Sequence, residues 1–401
     1  MTETKVVIVG ACRTPIGKFG GMLSEIKTSD LGAIVIKEAI KRAKLNAGDV
    51  EEVFMGSVLQ AGQGQNVARQ ASIKAGIPVG VPATTVNVIC GSGLEAINIA
   101  ATQIKSGASD IIVAGGTENM SSAPYLIKQA RFGYRMGNGE LIDSIIHDGL
   151  KDAFYDYHMG ITAENVAERW QLTREELDRF AKDTQDKAVI ARNKGAFEGE
   201  IIPVKVIRNK KEILFSKDES IRDETTIEKL SKLKPAFKAG GIVTAGNSSG
   251  INDGAAALVL MSEEKAIEKG IEILAYWNLA VLAGVEPEVM GVGPVASTKK
   301  LLNKLNLTVE DIDLIELNEA FAAQSVAVIR ELNLDSEIVN VNGGAIALGH
   351  PLGASGARIL VTLLYEMKRR GSKKGLASLC IGGGMGCSAL IELPEEGSDE
   401  K

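Results

Sequence analysis

Aromatic side chains make up only 4% of this chain, and its 401 residues include three histidines and four cysteines. Cys380 and Cys387, seven apart, match no zinc-ligand spacing, so no metal site is expected. No apolar run reaches the roughly 18 residues that a membrane-spanning helix needs. Met1-Thr-Glu-Thr-Lys5 leads straight into an apolar strand with no leader-like segment. The expectation is a cytoplasmic protein with reduced thiols and no membrane partner. Basic charge is not in excess either: the net charge of −6 argues against nucleic acid as a partner. No G-x-G-x-x-G follows the first strand, which excludes the dinucleotide-binding reading of the glycine-rich turns.

Glycine, by contrast, is abundant, at 44 residues. Hydrophobic residues make up 45% and charged residues 24%, a globular balance in a chain long enough for two cores. Segments 5–9, 54–58, 84–89 and 110–114 read as strands, with helical segments at 29–45, 66–75 and 93–105 between them. Such alternation predicts a parallel sheet covered by helices. The regularity breaks over 120–249. That stretch holds 21 of the 45 Lys+Arg and 20 of the 51 Asp+Glu, netting +1 against −7 elsewhere, yet it keeps apolar periodicity. It reads as an inserted loop domain, in which Thr173-Arg-Glu-Glu176 predicts a helix running to about residue 193 from a capping box. A strand at 253–260 rejoins the first sheet. From 271 the pattern starts again, with strands at 271–284, 314–317, 337–341, 377–381 and 386–392 and helices at 296–305, 320–332 and 353–370. The order βαβαβαββ thus occurs twice, which predicts two similar domains about a pseudo-twofold axis. They comprise 1–119 with 250–270, and 271–393; 120–249 is inserted, and the polar 394–401 forms a frayed tail.

The two copies share a register. Lys44-Leu45-Asn46 recurs as Lys304-Leu305-Asn306, an offset of 260, and the same offset carries Cys90 onto His350. Cys90 follows an apolar run, and Gly91-Ser92-Gly93 opens a helix. A thiol between a strand and a helix start meets exposed amides and the positive end of the helix dipole, which predicts a lowered pKa and a nucleophile. A lone cysteine also reads as a small buried core residue. A histidine at the matching place of the other half tilts the reading toward a nucleophile and its base. Cys380, in an apolar strand, would by default be packing; the glycines at 382–384 beside it argue for close backbone approach to a ligand. His147 belongs to no motif and reads as a surface residue.

Five signatures stand in order: Asn87-Val-Ile-Cys90-Gly-Ser-Gly-Leu-Glu-Ala96, Gly246-Asn-Ser-Ser-Gly-Ile-Asn-Asp-Gly254, Asn318-Glu-Ala-Phe321, Asn342-Gly-Gly-Ala345 with Gly349-His350-Pro-Leu-Gly-Ala-Ser-Gly356, and Cys380-Ile-Gly-Gly-Gly-Met-Gly386. Together they resemble the thiolase family over residues 5–392, and Tyr157-His158-Met159-Gly160 looks like the substrate-pocket motif of its short-chain, biosynthetic type. Cys12, before Arg13-Thr-Pro, departs from the usual residue there without touching a motif. A catalytic cysteine with two histidines would instead have suggested a ketoacyl synthase; Cys380 and Asn318-Glu-Ala-Phe321 favour a thiolase.

The resemblance implies a five-layered αβαβα fold, a loop domain that holds coenzyme A, and a homotetramer of two tight dimers. It implies Claisen condensation of two acetyl-CoA to acetoacetyl-CoA and CoA, or the reverse thiolysis, with coenzyme A as substrate and product and no cofactor. A longer-chain 3-ketoacyl-CoA thiolase is the alternative. The implied roles are nucleophile for Cys90, base for His350, proton donor and acceptor for Cys380, and water holder in an oxyanion hole for Asn318. The backbone N–H groups of Cys90 and Gly382 would form a second hole. Both thiols are then expected to line one pocket. His158 and Met159 are expected at the acyl group and Ser249 at the pantetheine amide. Arg222 suits the adenine or the 3′-phosphate of coenzyme A, or is a solvated charge. Phe237 lines the tunnel or belongs to the loop core.

Overall fold

The computed structural model describes residues 4–395, so most of the 394–401 tail lies outside the described residues. Five strands form the first half: Val6–Arg13, Glu52–Gly56, Ala83–Val86, Ile111–Asn119 and Asn252–Ser262. In space they lie third, second, fourth, fifth, first. The second half repeats this order with Ala275–Gly284, Leu314–Leu317, Lys374–Ile381 and Met385–Glu392. Its third strand shrinks to a single bridge, Ile315 to Val339, where a full strand over 337–341 was expected. The sheet is mixed, not parallel. The fifth strand of each half, Asn252–Ser262 and Met385–Glu392, runs antiparallel to both neighbours. In the first half it returns from the long insertion, and in the second from a tight glycine turn, so neither has a helical crossover to make it parallel.

The first strands of the two halves pair with each other, Val6 to Trp277 and Ile8 to Ala275, joining everything into one ten-stranded sheet. Between its two halves lie two helices in contact, Ser92–Lys105 and Leu352–Arg370. The second packs on strands of both halves, and its apolar side chains are buried along nearly its whole length. Thr28–Arg42 and Val67–Lys74 cover the outside of the first half, and Gly293–Leu305 with Ala322–Leu332 the outside of the second. The result is five layers, αβαβα.

Close packing at the centre depends on missing side chains. A Cβ on Gly116 would sit 2.0 Å from the carbonyl oxygen of Gly353, so the strand can touch the helix backbone only as glycine. The insertion over 120–249 folds across the second half, with its long helix Arg174–Asn193 capped by Thr173 and Glu176 as the sequence predicts. It is tied to the first strand by buried Arg13, whose guanidinium meets Glu200 at 2.6 Å and Asp218 at 2.7 Å.

Replacing Gly116 by Val should force the central helix off the sheet. We expect a loss of about 3 kcal/mol or more, read as a lower urea midpoint. An unchanged midpoint would show that the helix can move aside freely.

Candidate active site

The turn that carries Cys90 is strained and clamped. Ile89, β-branched, has φ +46°, a conformation costing about 1–3 kcal/mol outside glycine. Asn87 Oδ1 accepts from the Ile89 N–H at 3.0 Å. Ser92 Oγ accepts from the Val88 N–H at 2.9 Å and donates to the Ile89 carbonyl at 2.6 Å. The clamp holds Cys90 two residues before the helix Ser92–Lys105. His350 stands two residues before the helix Leu352–Arg370, as the 260-residue offset requires. Its backbone N–H donates to Asn252 Oδ1 at 2.9 Å.

Cys90 and His350 line one cavity of about 390 Å³. Gly382, His158, Met159, Ser249, Arg222 and Phe237 line it too, so every coenzyme-contact residue expected from the sequence is there. Among the described residues the Arg222 guanidinium makes no ion pair, and the side chain is exposed. The Ser249 hydroxyl donates to the Ala320 carbonyl at 3.0 Å. Phe237 stacks on His158, ring centres 4.7 Å apart, and meets Phe321 edge-on. Gly160 lies under the Phe237 ring, where a Cβ would come within 2.1 Å of it. His158 Nδ1 accepts from the Gly160 N–H at 2.9 Å, capping the helix Met159–Arg169 and leaving its other nitrogen as a donor. His147 lies partly exposed beside Asp148, outside the cavity.

Two expectations need correction. The Cys90 thiol is not acidified. Burial pushes its pKa up to about 12, against the opposing pull of the amides of Gly382 and of Cys90 itself. Desolvation outweighs the helix start because the sulfur is nearly sealed from water. Second, Cys380 is absent from the cavity wall. It is fully buried, in an apolar cluster with Met159 and Phe321, close enough to Cys90 for the two sulfurs' charges to interact. Burial raises its pKa as well. Gly382, in turn, is not crowded: a Cβ there would make only ordinary contacts with Ile89 and Met159. The protein's own atoms leave the space over Gly382 open toward the cavity.

The His350 ring is held at Nδ1, where Ser355 Oγ lies 2.5 Å away; with the hydroxyl proton directed at the Pro351 carbonyl, 2.9 Å away, Nδ1 is the donor to Ser355 Oγ. Nε2 then carries the lone pair, is buried, and has no protein partner. Burial, reinforced by the Arg358 charge, lowers the ring's pKa to about 3. Asn318 Nδ2 lies 3.4 Å from Nδ1, and Asn318 Oδ1 is buried without a protein partner.

Ser355 and Glu118 were not singled out from the sequence. Ser355 falls inside the His350 motif, five residues on. Glu118 accepts amides from Val58, Leu59 and Gly353 at 2.8–3.1 Å, so one carboxyl pins the helix behind His350 to the first half. Burial pushes it up to about 7. An acidic residue at the end of a strand that opens with the apolar run Ile111–Ala114 and has no other charge is the signal that would have found it.

A duplicated α/β frame with a thiol and an imidazole at one cavity is an arrangement suited to acyl transfer. The models "Thiolase, N-terminal domain" and "Thiolase, C-terminal domain" match residues 6–264 and 271–393, and the chain belongs to the thiolase family. It is 57% identical to the acetyl-CoA acetyltransferase of Syntrophomonas wolfei over 392 residues, 97% of this chain and 99% of that one. The crystal structure of the Bacillus anthracis acetyl-CoA acetyltransferase superposes with a TM-score of 0.96 at 48% identity, covering 98% and 99% of the two chains. Human mitochondrial 3-ketoacyl-CoA thiolase superposes with a TM-score of 0.95 at 41% identity and the same coverage.

With thiol and imidazole both neutral at rest, ultraviolet thiolate absorbance should not rise below about pH 9. A step below neutral pH would reveal a preformed ion pair instead. Ser355→Ala removes the acceptor that fixes the ring, a loss of about 1.5–3 kcal/mol in a charge-bearing step. Alkylation of Cys90 by iodoacetamide should slow about 10- to 100-fold with unchanged thermal stability.

Proposed function

We propose that this protein is an acetyl-CoA C-acetyltransferase, joining two acetyl-CoA into acetoacetyl-CoA and CoA and running the reverse thiolysis. The observation that carries the reading is Cys90 and His350 facing one cavity from matched helix starts. Cys90 attacks the acetyl thioester carbonyl while its proton passes to Nε2 of His350. The oxygen that becomes negative is met by the N–H groups of Cys90 and Gly382, which already lie against the sulfur. One such donor is typically worth about 3–4 kcal/mol of barrier. The bond to coenzyme A then breaks, and Cys380 gives its proton to the departing sulfur. Its thiolate takes an α-proton from the second acetyl-CoA. The raised pKa suits this task, because a stronger base matches a weak C–H acid. The enolate oxygen faces protonated His350 and a water held by Asn318, whose free, buried Oδ1 supports that role. Attack on acetyl-Cys90 forms the new C–C bond, and His350 returns its proton to the released sulfur.

Arg222 would meet the phosphate or adenine end of coenzyme A, Ser249 the pantetheine, and His158, Met159 and Phe237 the acyl and thioester end. Coenzyme A enters as substrate and leaves as product, and the reading needs no further cofactor. We assign 1–119 with 250–270 and 271–393 as the two repeated domains and 120–249 as the coenzyme-holding insertion. Association into a homotetramer is supported by large exposed apolar side chains in that insertion, Phe132 at 90% and Met136 at 96%. Four free cysteines support a cytoplasmic location, and among the described residues no helix is long and apolar enough to cross a membrane.

The longer-chain thiolase reading is favoured by the likeness to the human mitochondrial enzyme. Met120, Leu150, Met159 and Leu352 line the cavity with Cys90, and we read this bulky apolar lining as suiting a two-carbon acyl group better. Incubation with acetyl-CoA should add one acetyl group to the intact mass, and Cys90→Ala should remove both the adduct and at least about 10⁴-fold of turnover. Thiolysis should fall steeply beyond acetoacetyl-CoA as the chain lengthens; a flat profile would favour the second reading, and no adduct would sink both.

A further inference from the structure

Arg358 is a buried cation that the acyl-transfer chemistry does not call on. It is 2% exposed, and its Nε and Nη2 have no protein partner. Nη1 donates to Glu316 Oε2 at 3.2 Å. Both partners sit where they bear on the active site. Arg358 is one turn along the central helix from Ser355, which holds the His350 ring at 2.5 Å. Glu316 belongs to the strand Leu314–Leu317, which ends one residue before Asn318, and the Asn318 amide lies 3.4 Å from the same ring. His350, Ser355, Arg358, Glu316 and Asn318 therefore close a ring through one helix and one strand.

We propose that Arg358 is a positioning residue for His350, locking the imidazole against Asn318 through Glu316 and setting a like charge behind it. This rests on the acyltransferase reading above. The like charge disfavours the imidazolium. A proton taken from Cys90 is thus held weakly, making the ring a strong hydrogen-bond donor to an enolate oxygen and ready to return the proton. The carboxyls facing Arg358 are Glu316, Glu200 and Glu319; burial pushes each above the usual carboxylate range, Glu316 up to about 8, so they offset the guanidinium only in part. Facing the reacting pair from the first half is Glu118, on the strand Ile111–Asn119, whose charge opposes ionisation of Cys90. The ring shares its cavity with the Cys90 thiol, and the Asn318 amide and the Ser355 hydroxyl lie against its Nδ1.

The test follows the His350 ring by NMR in protein labelled at its three histidines, alongside the pH dependence of acetoacetyl-CoA thiolysis. In Arg358→Met the His350 midpoint and the acid limb of kcat/KM should both move up by about one pH unit, with the midpoint above about pH 4. kcat should fall about tenfold or more with KM unchanged. Arg358→Lys keeps the charge and should keep the wild-type midpoint. Should Arg358→Met fail to fold, Arg358→Met with Glu316→Leu removes the pair together, a change that buried ion pairs often tolerate, and carries the same expectation. A His350 signal flat down to about pH 4 in the folded apolar variants, or a midpoint that moves equally in Arg358→Lys, overturns the proposal. Wild-type protein that does not cleave acetoacetyl-CoA would instead overturn the acyltransferase reading, which the NMR arm does not depend on.

Discussion

The contact on which the rest depends is the meeting of strand and helix backbones at the centre of the molecule. Gly116 touches Gly353, and a Cβ on Gly56 would strike the backbone of Ser92 within 2.5 Å. These contacts bring the starts of both central helices to the same place. Each start delivers one reactive side chain, Cys90 from the first and His350 from the second. Glu118 then receives the amide of Gly353 and those of Val58 and Leu59, fixing the junction with a buried carboxyl. A duplicated fold thus makes an unsymmetrical site, because equivalent positions carry different residues.

Burial sets the chemistry of that site more than the helix starts do. A helix N-terminus is worth about 0.3–1 kcal/mol at an exposed position, up to about 2 when partly buried. Sealing a thiol from water moves its pKa further than that and in the other direction. The resting pair is therefore a neutral thiol and a neutral imidazole, the latter held low by desolvation and by Arg358. In the proposed reaction, proton transfer accompanies attack on the thioester, when the Cys90 and Gly382 amides acquire an oxyanion to stabilise. A thiolate waiting in the free enzyme would be exposed to oxidation and alkylation between turnovers.

Much of this was legible in the sequence because it is local or repeated. The glycine-dense turns, the capping box at Thr173 and the offset that carries Cys90 onto His350 all lie within short windows. What was not legible depends on contacts far apart in the chain. Ile89 is the local exception: as a β-branched residue it gives no sign of a left-handed backbone, although the Asn87 and Ser92 side chains that clamp its turn are close by in the chain. Glu118 reaches partners 60 and 235 residues away. The segment over 337–341 reads as a strand by its apolar pattern, yet only Val339 finds a partner. The sheet was read as parallel because alternation reports crossovers, while the returning fifth strands have none. Cys380 was expected in the cavity wall; its motif reports the glycine turn but not the side chains that cover the sulfur.

The burial of Cys380 also bears on why one site can hold two thiols without making them interchangeable. Cys90 receives backbone amides and faces the cavity, so its anion has donors and a route to a carbonyl. Cys380 sits among apolar side chains, and the charge of Cys90 raises its pKa further. Two sulfurs so close oppose each other's ionisation, as any like-charge pair does. In the proposed reaction Cys90 is a neutral thiol at rest and an uncharged thioester once acetylated, so the opposition acts only against both sulfurs ionising at once. That exclusion keeps the two thiols in separate proposed roles, Cys90 as the nucleophile and Cys380 as the base, each ionising in a step where the other is neutral.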